Sequence, residues 1–97
     1  MSSFQLTNKA KADLKNIARF TKTKWGTEQR NYYLKQFDET FHLLAKNPLT
    51  GKDCNYISSE YRKFPHGSHV IFYKHRKDNS ILIVRILHKH MDVTAHF

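Results

Sequence analysis

The spacing of apolar residues changes halfway along this 97-residue chain, and this change constrains the fold more than any other feature. Up to about Pro48, apolar residues recur every three or four positions, as they do on one face of a helix. Beyond about Tyr61, β-branched and aromatic residues alternate or run together, which is typical of strands. Helices followed by strands predict an α+β fold, and the length predicts a single domain over residues 1–97.

The first half predicts a short strand and two helices. Residues 4–7 alternate as a strand, and Thr7 or Asn8 is placed to cap the helix that follows. Gly26 ends that helix, and Thr27 is expected to cap a second helix that continues to about residue 46. Because the break between the helices is so short, they are predicted to form an antiparallel hairpin.

The second half predicts an irregular stretch, from residue 49 to about 60, and then three strands. The first covers residues 61–64 and ends at Pro65, and the second covers 68–75. After a turn at 76–80, residues 81–87 form a near-continuous apolar run, which indicates a strand covered on both faces, partly by the helices and partly by a binding partner. The expected architecture is an N-terminal strand and a helical hairpin packed on a small antiparallel β-sheet.

The chain is strongly basic along its whole length. Seventeen Lys and Arg against eight Asp and Glu give a formal net charge of +9, divided as +5 over residues 1–48 and +4 over residues 49–97. A folded domain with such a field attracts acidic partners, either nucleic acid or an acidic protein. High charge also serves solubility alone, so it does not define a function.

Several classes of protein are excluded by the sequence. The longest apolar runs, such as residues 81–84, are far too short to span a bilayer, and no membrane partner is expected. Residues 1–6 lack the basic start of a signal peptide, and lysines follow where its apolar core would lie. The single cysteine, Cys54, permits neither an internal disulfide nor a cysteine-based zinc site. A cytoplasmic location is therefore expected.

The order of short motifs resembles the ParE/RelE toxin superfamily, and ParE most closely. The carriers are the segments 61–65 (YRKFP), 68–73 (SHVIFY) and 83–88 (IVRILH), with Asp92 four residues after His88. The first half is compatible through residues 10–14 (AKADL), the break at Trp25-Gly26 and the segment 44–48 (LAKNP). The resemblance covers nearly the whole chain and lies in the order and spacing of these pieces.

This resemblance implies a toxin of a bacterial type II toxin–antitoxin system. ParE toxins act on DNA gyrase and are neutralised by a ParD-like antitoxin, whose extended C-terminal segment wraps around the toxin. Operator DNA is then contacted only through the antitoxin. RelE relatives of the YoeB type instead cut mRNA on the ribosome, and a metal-free endoribonuclease is the alternative function. Neither activity requires a cofactor. Because fold does not decide between them, the site residues must.

Arg62, Arg85 and His88 are the candidates if the chain is a nuclease. RNA cleavage by a 2′-hydroxyl requires acid–base groups and a cation near the phosphate, which histidine and arginine supply. Residues two apart share a face of a strand, so Arg62 and Arg85 are expected on one surface. The competing interpretation, which we favour for Arg85, is an ion pair with a carboxylate such as Asp92 that holds the sheet end. The tail lacks the tyrosine that RelE-like enzymes typically use, and gyrase inhibition is the favoured function.

Two partner surfaces are expected. One, for the target, lies on the basic strands and the tail: Arg62, Lys63, Arg85, His88, Lys89, His90 and Phe97. The other, for the antitoxin, lies on the first strand and the helical hairpin: Phe4, Leu6, Lys11, Lys15, Arg19, Phe20 and Trp25. Phe37 is expected in the core rather than in the antitoxin groove.

No metal site is predicted. His69 and His75 lie on one strand and are separated by roughly 20 Å of strand rise, so they do not share a metal ion. His88 and His90 have the spacing of a ligand pair, but no carboxylate or thiol lies nearby to complete a site.

Overall fold

Within residues 3–54, 56–57 and 60–97, which the computed structural model describes, the chain forms two helices and five strands. In chain order these are β1 (Phe4–Leu6), α1 (Asn8–Trp25), α2 (Thr27–Lys46), β2 (Lys52–Asp53), β3 (Tyr61–His66), β4 (His69–His75) and β5 (Ile81–His88). Short 3-10 turns at Pro48–Thr50 and Val93–His96 follow α2 and β5. The predicted α+β class and the helical hairpin against a sheet are confirmed.

The sheet is mixed rather than purely antiparallel. Its strand order is β1-β5-β4-β3-β2, so β1 and β2 form the two edges. The strands from β2 to β5 pair antiparallel in sequence order, whereas β1 pairs parallel with β5, with Phe4 opposite Ile81. Because two helices and three strands separate β1 from β5, no tight turn imposes an antiparallel direction on this pair.

Capping residues define the helical hairpin. The Thr7 hydroxyl accepts a hydrogen bond from the Ala10 backbone N–H at 3.0 Å, so Thr7 caps α1 as predicted. Gly26 has a φ of 96° and ends α1, which is a conformation that glycine adopts without steric cost. The prediction that Thr27 caps α2 was wrong, because Gly26 takes that position and Thr27 is already helical.

A β-bulge explains the near-continuous apolar run of β5. Phe72 pairs with Arg85 while Tyr73 pairs with Ile83, so Val84 is the additional residue. The bulge lets Ile83 and the more distant Ile86 both join the core beneath the helices. β5 thereby presents apolar residues to both faces of the sheet.

Each face of the sheet carries its own apolar cluster. On one face, buried side chains of β4 and β5 pack against buried residues of both helices, among them Ile17 and Phe37, so Phe37 is a core residue as predicted. On the other face, Cys54, Phe72 and Leu87 form a second buried cluster. The C-terminal segment contributes to this cover, since the Phe97 ring lies 5.2 Å from that of Phe72. The outer face was expected to await a partner, and the chain covers part of it itself.

The buried Tyr73 hydroxyl anchors the loop after α2. It accepts a hydrogen bond from the Gly51 N–H at 2.8 Å and donates one to the Pro48 carbonyl at 2.7 Å. Burial raises the pKa of Tyr73. A Cβ on Gly51 would lie 2.5 Å from this hydroxyl, so only glycine fits. A buried side chain thus orders a loop that the sequence pattern leaves irregular.

Strand ends differ from the prediction in two places. β3 continues to His66, through Pro65, because β2 spans only two residues and leaves that end of β3 at the sheet edge, where proline is tolerated. The stretch predicted as irregular, 49–60, contains β2 and a 3-10 turn, and its residues 55, 58 and 59 lie outside the described residues.

Replacing Tyr73 by Phe is expected to lower the free energy of unfolding by about 1–3 kcal/mol, because it leaves the buried Gly51 N–H and the Pro48 carbonyl without their partner. Urea denaturation measures the change. Tyr32→Phe is the matched control, since Tyr32 is 57% exposed, and it should stay within about 0.5 kcal/mol of wild type. Equal losses in both variants would contradict the anchoring role.

Candidate partner-binding cleft

A cleft of about 630 Å³ opens where the helical hairpin overhangs one end of the sheet. Helix residues from both sides of the break form one wall, and the β3–β4 turn, the end of β5 and Met91 form the other. The lining residues are Asp13, Asn16, Ile17, Phe20, Thr21, Lys24, Trp25, Gln29, Tyr33, Gly67, Ser68, His69, Ile86, His88 and Met91. The cleft therefore joins residues from the two halves of the sequence.

The helical wall carries large apolar side chains that nothing in the described chain covers. Phe20 is 62% exposed and Trp25 is 65% exposed. The Lys24 ammonium lies 5.6 Å from the centroid of each of these rings, within cation–π range. Exposed aromatic side chains beside a cation are typical of recognition surfaces.

Histidines and a tyrosine form the opposite wall. His69 and His88 face each other across β4 and β5, with ring centroids 5.5 Å apart, and the His90 ring lies 5.2 Å from that of His88. The Tyr33 hydroxyl of α2 lies 2.9 Å from His69 Nδ1. His66, opposite His69 in the register, packs against the Phe37 ring at 4.3 Å. The cluster thus links the helical core to the mouth of the cleft.

Burial keeps the inner histidines uncharged. Desolvation, reinforced by the nearby charges of His88 and His66, lowers the pKa of His69 to about 4. Burial also lowers the pKa of His66, whose Nε2 is buried without a hydrogen-bond partner. Burial raises the pKa of Tyr33. At neutral pH this wall is therefore neutral and aromatic rather than cationic.

Arg85 has a structural environment. Its guanidinium donates to both carboxylate oxygens of Asp13 at 2.8 and 2.9 Å and to the His96 carbonyl at 3.0 Å. Asp13 also accepts the Ile86 N–H at 3.0 Å. This bond lies beyond the stretch of β5 that β1 covers. The ion pair expected for Arg85 exists, but its partner is Asp13 and not Asp92, whose carboxylate caps the last 3-10 turn through Thr94.

Arg62 and Arg85 lie on opposite faces of the sheet, so the prediction that they share a surface was wrong. Arg62 pairs with Tyr73, which faces the helices, and Arg85 pairs with Phe72, which faces the second cluster. The Arg62 guanidinium donates to the Gly51 carbonyl at 2.7 Å and lies 3.3 Å from an Asp53 carboxylate oxygen. The trio proposed for RNA cleavage is therefore not assembled.

The remaining residues predicted for the target surface fall into two groups. His88, Lys89 and His90 follow one another at the end of β5, beside the cleft. Lys63 and Phe97 lie on the outer face, where the Lys63 ammonium is 5.3 Å from the Tyr56 ring centroid and Phe97 packs against Phe72.

The residues predicted for antitoxin binding are also divided. Phe4 is half-buried and packs against Phe41 at 5.3 Å, so β1 offers a partner its backbone edge. The exposed residues Lys11, Lys15 and Arg19 form one row on α1, roughly 140° around the helix from the row that contains Phe20. Of the predicted residues, Phe20 and Trp25 line the cleft.

Sequence reasoning missed Asp13, Tyr33 and His69. Asp13 is one acid in a lysine-rich helix, and Tyr33 belongs to an apolar helical row, so neither carries a local signal of its role. His69 lies 36 residues from Tyr33, and only the tertiary fold brings them together. Among the described residues, no group of three or more His, Cys, Asp or Glu is arranged to hold a metal ion. The described helices include none with the length and apolar character needed to cross a membrane.

Comparison with known proteins identifies the class. A family model for the ParE toxin of the type II toxin–antitoxin system parDE matches residues 4–93. The chain is 34% identical over 96 residues to Toxin ParE1 of Caulobacter vibrioides, covering 99% of this chain and 98% of that protein. It is 37% identical over 92 residues to Toxin ParE1 of Mycobacterium tuberculosis, with coverages of 95% and 94%. The sequence and fold are those of a type II toxin, and the chain belongs to the ParE toxin family.

Solved structures show the same fold. A chain from the chromosomal ParDE system of P. aeruginosa superposes with a TM-score of 0.75 at 22% identity, covering 91% of this chain and 96% of that one. A chain of the RelBE2 toxin–antitoxin complex of Mycobacterium tuberculosis superposes with a TM-score of 0.65 at 18% identity, with coverages of 91% and 98%. Two helices on a five-strand mixed sheet are therefore the RelE/ParE-like fold.

Replacing Asp13 by Asn is expected to lower the free energy of unfolding by about 3 kcal/mol, because it leaves the largely buried Arg85 without its countercharge. Asp38→Asn is the matched control. Asp38 pairs with His42 on the surface, and its loss should change stability by less than about 0.5 kcal/mol. Thermal or urea unfolding of both variants decides the point, and similar small losses would refute a structural role for Asp13.

Acid should destabilise the protein between about pH 6.5 and pH 4, because unfolded His69 titrates near 6.5 and folded His69 near 4. The folded state binds fewer protons in this window, so stability is complete above it and is lost as the pH falls. Urea titrations at several pH values measure the slope. His69→Gln should flatten the slope, and His75→Gln, at an exposed position, should leave it unchanged. An equally steep slope in His69→Gln would contradict this assignment.

Proposed function

We propose that this protein inhibits DNA gyrase in the bacterial cytoplasm and is neutralised by a ParD-like antitoxin, through which alone the pair contacts operator DNA. The observation that carries the proposal is the family match over residues 4–93, supported by the relatives matched along nearly their full length. Gyrase as the target comes from the family resemblance. The antitoxin is supported further by the structural neighbour from a ParDE system.

The geometry favours action by binding rather than by catalysis. Arg85 is bound by Asp13 and by the C-terminal backbone, and Arg62 is bound on the opposite face. Neither guanidinium is free to stabilise a phosphorane beside His88. An inhibitor needs no reacting group, because preferential binding to one state of the target is enough to hold it there.

Exposed residues at the end of β5 are the best candidates for the target contact. Lys89, His90 and Met91 are exposed, and His88 lies at the edge of the cleft. In this proposal Lys63 and Phe97 extend the contact onto the outer face of the sheet. Arg85 then supports the target surface by holding the C-terminal segment in place, without touching the target.

Ribosome-dependent mRNA cleavage is the alternative, and one observation favours it. His69, His88 and Tyr33 gather at the cleft, and histidine pairs serve in acid–base catalysis. A pKa of about 4 leaves His69 a weak base at neutral pH, which argues against this role. Substitution separates the two functions. His88→Ala should abolish cleavage while target binding persists in a nuclease, but should only weaken binding in an inhibitor.

Titration of the protein into purified gyrase is expected to inhibit DNA supercoiling and to trap cleaved DNA, and antitoxin should reverse both effects. Lys89→Glu should raise the concentration needed for half inhibition about tenfold, because it reverses a charge at the proposed contact. Lys77→Glu is the matched control, since it makes the same charge change in the exposed turn at the other end of β5.

Two outcomes would count against this proposal. Full gyrase activity at a large excess of toxin would refute it, and mRNA cleavage on purified ribosomes would then be the next assay. Equal weakening by Lys89→Glu and Lys77→Glu would show that net charge matters rather than the end of β5.

A further inference from the structure

We infer that the antitoxin neutralises this toxin by direct occlusion: one antitoxin segment fills the cleft and covers both the helical wall, with Trp25, and the opposite wall, with His88 and Met91. The inference rests on the proposed function, in which His88 belongs to the target contact. It adds that the antitoxin and target surfaces, expected from the sequence to be separate, meet in one cleft and cannot be used at the same time.

The helical wall defines the chemistry of the occupant. Phe20 and Trp25 are both more than half exposed, and Met91 across the cleft is 46% exposed, so a large apolar side chain would bury apolar surface on either side. Lys24 lies between the two rings and offers a carboxylate a charged partner. The complementary ligand is therefore an acidic peptide segment with an apolar or aromatic anchor.

Charge complementarity supports an acidic occupant. The chain carries a formal net charge of +9, and the one carboxylate among the residues that line the cleft, Asp13, is already neutralised by Arg85. His69 and His66 stay uncharged at neutral pH, so the floor of the cleft presents no competing cation. An acidic segment would be attracted by the surrounding field and held at Lys24.

The size of the cleft makes occlusion unavoidable for such an occupant. About 630 Å³ lies within the range of roughly 300–1,000 Å³ that is typical of cavities enclosing a drug-sized ligand. One anchor side chain with its flanking backbone would fill this space. Its far side would then lie against His88 and Met91, the residues that lead into Lys89 and His90.

The first experiment uses the toxin and the antitoxin encoded with it, without gyrase. The chain has a single tryptophan, so isotope-labelled toxin gives one indole N–H resonance. We expect this resonance to shift on adding unlabelled antitoxin, and diethyl pyrocarbonate modification of His88 to slow at least tenfold. His75, exposed at the far end of β4, is the internal control and should react as before.

The outcomes are distinct. Protection of Trp25 with unchanged His88 reactivity would overturn the inference, because only the helical wall would then be covered. An indole resonance that shifts with toxin concentration in the absence of antitoxin would also overturn it, since a second copy of the chain would fill the cleft. Tyr32→Ala should not change antitoxin affinity, whereas Trp25→Ala should weaken it at least tenfold; equal affinities for both would contradict the assigned anchor site.

The second experiment presents free toxin and the preformed toxin–antitoxin complex to immobilised gyrase. We expect free toxin to bind and the complex not to bind. A ternary complex would overturn occlusion while leaving gyrase inhibition intact. Failure of free toxin to bind would instead contradict the proposed function, and with it the exclusion of gyrase, whereas the joint cover of Trp25 and His88 is decided by the first experiment alone.

Discussion

The pair formed by Asp13 and Arg85 joins the three parts of the structure that no local pattern connects. Asp13 lies on α1, Arg85 lies on β5, and Arg85 also binds the backbone carbonyl of His96 in the C-terminal segment. Asp13 accepts the Ile86 N–H as well, next to the stretch of β5 that β1 does not cover. Since an unpaired charge or N–H at such a site costs several kcal/mol, this one carboxylate fixes the helix against the sheet edge.

The cleft depends on that contact. α1 leaves Asp13 and continues along the edge of β5 to Phe20 and Trp25, so the orientation set at Asp13 decides how far the end of the hairpin stands from His88. The same contact removes Arg85 from any direct role in recognition. The charges left for a partner are surface lysines such as Lys24 and Lys89, which are exposed and flexible. Stability and recognition therefore use different cations.

Much of the fold, and less of the site, could be predicted from the sequence. Helical periodicity, Thr7, Gly26 and the alternating strands are local signals, and they gave the hairpin, the three long strands and the core position of Phe37. The parallel pairing of β1, the bulge at Val84 and the partner of Arg85 depend on contacts between distant segments. Asp92 was the nearest carboxylate in sequence, but Asp13 is the one that the fold brings to Arg85.

The histidine wall gives the cleft two properties that a purely basic surface lacks. Because burial holds His69 and His66 neutral, the floor presents aromatic rings and little charge, whereas the positive charge comes from lysines around it. Distributed charge accelerates encounters with an acidic partner and is screened by salt, and burial of apolar surface is not. The rate at which an acidic segment finds this cleft should therefore follow ionic strength, while its lifetime there is governed by Phe20 and Trp25.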